Sequence, residues 1–197
     1  MPANVIDNLQ QYAQIVSPLI TAMTLIFVIF NVNRSQKKSR QNDEEKFKRD
    51  LNLKASDEMI EAISSLRHSC GYYFSLNHLR DEINNEASLT EFIYHINGCI
   101  KLIDEALMIL QTRFYQRKII LDQYDSDVES VYVLGCLISS SLCDIKKWYT
   151  IDVGHTDQEI MDKEEKLLGY VYETVDQLNA MQTNIQNQFL GKLYEKQ

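Results

Sequence analysis

The sequence predicts an all-α protein, with a single N-terminal transmembrane helix continuing into a long-helix, up-and-down four-helix bundle. Three observations carry this. Proline occurs only at positions 2 and 18, and the 197 residues include six glycines, so the punctuation that separates strands is missing. Beyond residue 43, apolar residues recur at intervals of three and four, the spacing of one helix face. Residues 15–32 form a stretch of eighteen without a charge.

The first segment, 1–14, reads as a short amphipathic outer segment, with Val5, Ile6, Leu9, Tyr12 and Ala13 on one face. Residues 15–32 follow as a transmembrane helix. At 1.5 Å per residue they span about 27 Å, close to the ~30 Å hydrocarbon thickness. A cleaved signal would place its basic residues before the apolar run, and here they come after it. A soluble core helix of such purity, abutted by Arg34, Lys37, Lys38 and Arg40, is the less natural reading. Residues 33–42 form a basic juxtamembrane collar in which those four cations would meet lipid headgroups. Because Lys and Arg stay on the cytoplasmic side, the N-terminus should lie outside the inner membrane and residues 43–197 inside it. Pro18 should kink the helix or mark its first turn.

Asp7, Gln10, Gln14, Ser17, Thr21, Thr24, Val28 and Asn31 are spaced alternately by three and four, a heptad seam that is polar at all but Val28. Polar side chains in lipid face protein or water, and Ser and Thr let helices approach closely. Gln14, Ser17, Thr21, Thr24, Val28 and Asn31 are therefore the candidate pore or oligomer seam. The competing reading is that these hydroxyls bond their own backbone and merely happen to align.

In the bundle, the first helix is expected to run to about Ile83. Ser88-x-x-Glu91 reads as a capping box opening a helix to about Gln123. Ser126-x-x-Glu129 reads as a second box opening a helix to about Ile151, with Gly154 just past its end. Thr156-x-x-Glu159 reads as a third, opening a helix to about Glu195. Short loops between long helices imply antiparallel neighbours.

The net charge of −8 is unevenly spread. Residues 33–54 carry +4 and residues 55–197 carry −11, so the body is a poor general nucleic-acid binder. Cys70, Cys99, Cys136 and Cys143 form no CxxC pair and read as reduced core residues, which fits a cytosolic body. No phosphate loop, dinucleotide motif or HExxH is present, so no cofactor, metal or catalytic residue is assigned. The Glu91/His95 pair reads as a solvated i,i+4 pair. The acidic run at Asp122, Asp125, Asp127 and Glu129 lacks the glycine and the length of a calcium loop. Arg113, Tyr115, Arg117 and Lys118 make a basic spot on a helix face.

One membrane helix, a cytoplasmic helical body of this size and a polar seam together resemble the membrane accessory proteins of type VI-B CRISPR systems. The resemblance covers the whole chain and rests on architecture. It implies a divergent HEPN-like helical domain, assembly into a homo-oligomeric ring with a pore, a role in antiviral defence, and a CRISPR effector or other cytoplasmic protein as partner beside the lipid bilayer. The HEPN signature, Arg and His separated by four to six residues, is absent. Ten residues separate Arg67 from His78 and fourteen separate Arg80 from His95, so ribonuclease activity is not expected.

Overall fold

The computed structural model describes residues 3–150 and 156–194, except for the side chains of 3–15, 17, 77, 78, 157 and 190–194. The fold is all-α. Among the described residues only 82–85, Arg117 and Thr156 lie outside helices, and there is no strand. In chain order the helices are α1 (Ala3–Asp81), α2 (Glu86–Gln116), α3 (Lys118–Leu121), a 3₁₀ turn (Asp122–Tyr124), α4 (Asp125–Thr150) and α5 (Asp157–Tyr194). Two compact units divide the chain, Met1–Asp50 and Leu51–Gln197.

The first unit is helical from Ala3 onward. No separate outer helix precedes the apolar segment: α1 runs on through Pro18, whose missing N–H removes one backbone bond from the ladder.

The second unit has one hydrophobic core. Met59, Ile63, Leu66 and Cys70 of α1, Phe92, Ile96, Ile103 and Leu110 of α2, Val131, Ile138 and Leu142 of α4, and Leu167, Leu178 and Ile185 of α5 are all buried in it. Their spacing by three, four, seven and eleven lays them along the inner stripe of each helix. α1 is tied to α2 by the Tyr72 hydroxyl against His95 Nδ1 at 2.8 Å, and to α5 by Arg67, which donates to Asn179 and Gln182. α4 is tied to α2 by Ser139 donating to Asp104 and Lys146 donating to Asn97, and to α5 by Lys163 on Asp144. Thus α2 and α5 each lie between α1 and α4.

The helix ends differ from the sequence expectation in instructive ways. α1 stops at Asp81. The cap of α2 is Asn85, not Ser88: Asn85 Oδ1 accepts from the Ser88 N–H at 2.9 Å, and Ser88 Oγ accepts from the Asn85 N–H. Asn is as good a cap as Ser, and Ser88 occupies the third position, where it closes the box reciprocally. α2 ends at Gln116 rather than Gln123. Arg117 leaves the helix to clamp Glu58 of α1 through Nε and Nη2 at 2.8 and 3.1 Å. The chain then turns inward to bury Leu121 and Tyr124. α4 follows directly from that turn, so Ser126 lies inside the helix and caps nothing. The third box is as expected: the Thr156 N–H donates to Glu159 Oε2 at 2.9 Å, and the Glu159 N–H donates to Thr156 Oγ1. Ile151, Gly154 and Glu195 lie outside the described residues.

Cys70 and Cys99 are core residues. Cys136 is exposed and Cys143 half-buried, so the expected core role of that pair is corrected. Both sit on the side of α4 opposite Ile138 and Leu142.

Candidate membrane seam

Two stretches of helix are long and apolar enough to cross a membrane, one within Pro18–Asp81 and one within Lys118–Thr150. A soluble core helix can pass the same test. The second stretch contributes Val131, Ile138 and Leu142 to the core, and 44% of its most apolar window is buried. None of the first window is buried. From Val16 to Val32 the large apolar side chains, including Leu19, Met23, Ile26, Phe27 and Phe30, are all exposed. Water solvates such a surface poorly, and contiguous apolar patches of this kind mark contact with lipid or protein.

On this helix Thr21, Thr24, Val28 and Asn31 are exposed and follow one another at helical spacing. The side chains of Gln14 and Ser17 lie outside the described residues. The Thr24 hydroxyl donates to the Ile20 carbonyl at 2.7 Å, one turn back. That bond satisfies the hydroxyl within its own helix and leaves the oxygen free to accept from a neighbour. Arg34, Lys37, Lys38 and Arg40 are exposed on the next turns of α1.

The other groups singled out in the sequence are mostly paired. Arg117 is held by Glu58, and Lys118 by Asp125 at 3.0 Å, so two cations of the basic spot are neutralised within the fold. Glu91 stands 4.0 Å from His95 Nε2, whose ring also meets Tyr72. His68 is exposed; the side chain of His78, and His155, lie outside the described residues. Among the described residues no group of three or more His, Cys, Asp or Glu side chains could hold a metal ion. Gln182, an inward amide of α5, accepts from Arg67 at 3.1 Å.

One feature gave no sequence signal. Tyr73, Arg80, Tyr149, Glu164 and Leu168 line a cleft of about 460 Å³. Burial pushes the Tyr73 phenol up to about 12. Burial also raises Glu164 above the usual carboxylate range, against the pull of the Arg80 guanidinium bonded to it. Partners 84 positions apart carry no spacing that a sequence could show. The pair braces α1 against α5.

No family model, curated protein or solved structure matches the chain.

Proposed function

We propose that this chain is a single-pass membrane protein whose copies assemble along the polar seam of α1 and form a regulated pore. The observation that carries the reading is the wholly unburied apolar window of α1, beside a second such window, within Lys118–Thr150, of which 44% is buried. In this reading residues 15–32 span the bilayer and the collar at Arg34, Lys37, Lys38 and Arg40 meets anionic headgroups. The acidic unit stands in the cytoplasm as an up-and-down four-helix bundle. Facing one another across the assembly, Gln14, Ser17, Thr21, Thr24 and Asn31 offer hydroxyls and amides where lipid offers none. The resemblance to type VI-B CRISPR accessory proteins supports a role for this pore in antiviral defence, opened through a cytoplasmic effector.

Membrane potential in cells expressing the chain tests this. The wild type should depolarise the membrane when triggered, and a Thr21→Leu, Thr24→Leu variant should not. A wild type that never depolarises counts against a pore.

A second reading has one observation in its favour. Since Thr24 is satisfied by Ile20 within its own helix, the seam needs no neighbour. The chain would then be a non-conducting anchored scaffold or sensor docking a cytoplasmic partner through its acidic unit. Particle mass in detergent separates the two: a defined ring of many copies supports the pore, a monomer or dimer the scaffold.

A further inference from the structure

We infer that the cleft between α1, the end of α4 and the start of α5 binds a small organic ammonium ion, its charged nitrogen seated between the Tyr73 hydroxyl and the Glu164 carboxylate. The inference goes beyond the pore reading and does not depend on it, since every residue it uses belongs to the unit Leu51–Gln197.

The site starts from a hydroxyl with nothing to bond. Tyr73 belongs to the core and is only 4% exposed. Its ring packs beside Phe74, and its hydroxyl makes no hydrogen bond among the described residues. Buried phenols normally find a partner, because an unpaired hydroxyl out of water costs its desolvation. Nor is this oxygen sealed in the core. Among the described residues the one side-chain polar atom both sealed and unpaired is Gln177 Oε1. The slight exposure that Tyr73 keeps therefore includes its hydroxyl, which opens on the cleft it lines.

A second open oxygen lies near it. Glu164, half-buried on α5, gives Oε2 to Arg80, while Oε1 has no hydrogen-bond partner among the described residues. The carboxylate is close enough to the phenol to discourage loss of its proton, yet the two do not bond one another.

What sits between these oxygens must donate. A phenol oxygen accepts as well as donates, and a carboxylate only accepts. Charge narrows the choice. Arg80 is the one cation among the residues lining the cleft, and its nitrogens are committed: Nη1 to Glu164, Nε and Nη2 to Asp81 at 3.1 and 2.9 Å. Against it stand the carboxylates of Asp81, Glu164 and Glu165. An anion would meet no free guanidinium fork and an excess of like charge. A neutral apolar molecule would leave both oxygens unpaired. An ammonium brings several N–H donors and offsets the carboxylate charge.

The remaining wall takes an apolar body. It is made by Ile160, Met161 and Leu168 of α5 and by Tyr149 of α4, which packs edge-on against Phe92 at 5.2 Å between ring centroids. At about 460 Å³ the cleft falls within the ~300–1,000 Å³ usual for small-molecule sites, and a mostly apolar wall with a few converging polar groups is their usual form. An occupant bridges three helices.

Titration of the full chain in detergent with phenethylammonium chloride tests this, with 2-phenylethanol and 3-phenylpropionate as neutral and anionic counterparts of similar size. Calorimetry should show saturable binding of the ammonium at a single site per chain and of neither counterpart. The melting temperature should rise with ammonium concentration. Tyr73→Phe removes only the hydroxyl and should weaken binding about tenfold, the worth of one hydrogen bond. Met161→Trp, at an exposed position, narrows the cleft and should block binding without unfolding the chain. Partition into the micelle is the same for every variant, so equal binding by wild type and Tyr73→Phe would overturn the site. Absence of saturable binding would overturn it too, and would show that water alone satisfies Tyr73. Tighter binding of phenylpropionate than of the ammonium would overturn the choice of a cation. Each of these failures leaves the membrane reading untouched, because none of them reads insertion or assembly.

Discussion

Replacing Met23 and Phe27 with Arg should drive the chain out of the membrane, and one such replacement should not. The structure sets the scale. Eleven large apolar side chains between Val16 and Val32 are 45–72% exposed and contact no core. At roughly 0.3–0.6 kcal/mol of insertion free energy each, they favour the bilayer by about 5 kcal/mol before the polar seam is counted. An Arg near the centre of the span costs about 3 kcal/mol and forfeits the residue it replaces. One substitution therefore leaves insertion favoured by about 1.5 kcal/mol, whereas two shift it by about 7 and leave it disfavoured by about 2. That is about thirtyfold against the inserted form. Alkaline carbonate extraction of membranes reads the outcome: wild type and single variant in the pellet, double variant in the supernatant. Thermal unfolding of the helical unit should be unchanged, because both side chains are exposed and neither belongs to its core. A wild type that is soluble without detergent, or a double variant as carbonate-resistant as wild type, would refute the reasoning.

Three further outcomes follow from the helical unit. A Cβ at Gly135 would stand 2.5 Å from the Leu107 Cδ1 methyl, and Leu107 is itself buried. Gly135→Ala should therefore cost about 1–3 kcal/mol in a urea unfolding curve, and an unchanged midpoint would show that α2 and α4 can part without penalty. Its hydrogen bond from Arg117 holds Glu58 below the ordinary glutamate range. The linked stability is complete above that range and is lost as pH falls through the depressed value. The wild type should accordingly melt higher than Glu58→Gln at neutral pH, with the gap closing below about pH 4; a gap independent of pH would contradict the pairing. Burial pushes the Cys70 and Cys99 thiols up to about 11 and about 12. Maleimide at pH 8 should label Cys136 first in the folded protein and all four cysteines in denaturant, and rapid labelling of Cys70 would show that the core is open.

Much of the fold was legible because helices write their faces into local spacing. The stripes Phe92–Ile96–Cys99–Ile103 and Leu167–Val171–Leu178–Ile185 could be read directly, and so could the Thr156/Glu159 box. What could not be read depended on partners far away in the chain. The break at Arg117 exists because Glu58 lies opposite it, 59 positions earlier. Asn85 took the cap from Ser88 because two adequate caps stand three residues apart and only backbone geometry chooses between them. Cys136 and Cys143 share α4 with a run of Leu and Ile, so seven-residue spacing marked a face without saying which. The polar seam was legible as a pattern. The bond from Thr24 to Ile20 shows why a pattern alone does not identify what the hydroxyls face.

Three of the fastenings that hold α1 to its neighbours, at Glu58, Arg67 and Arg80, respond differently to acid. Arg67 grips amide and hydroxyl oxygens that never titrate, so the middle of the helix keeps its hold at any pH the fold survives. Glu164, at the far end, has its protonation eased by burial, so gaining a proton there does not penalise the folded state. Only Glu58 must be forced to accept one. Acidification should therefore loosen α1 from the Leu51 side first, where the chain arrives from the apolar segment, while the Arg80 end stays fastened.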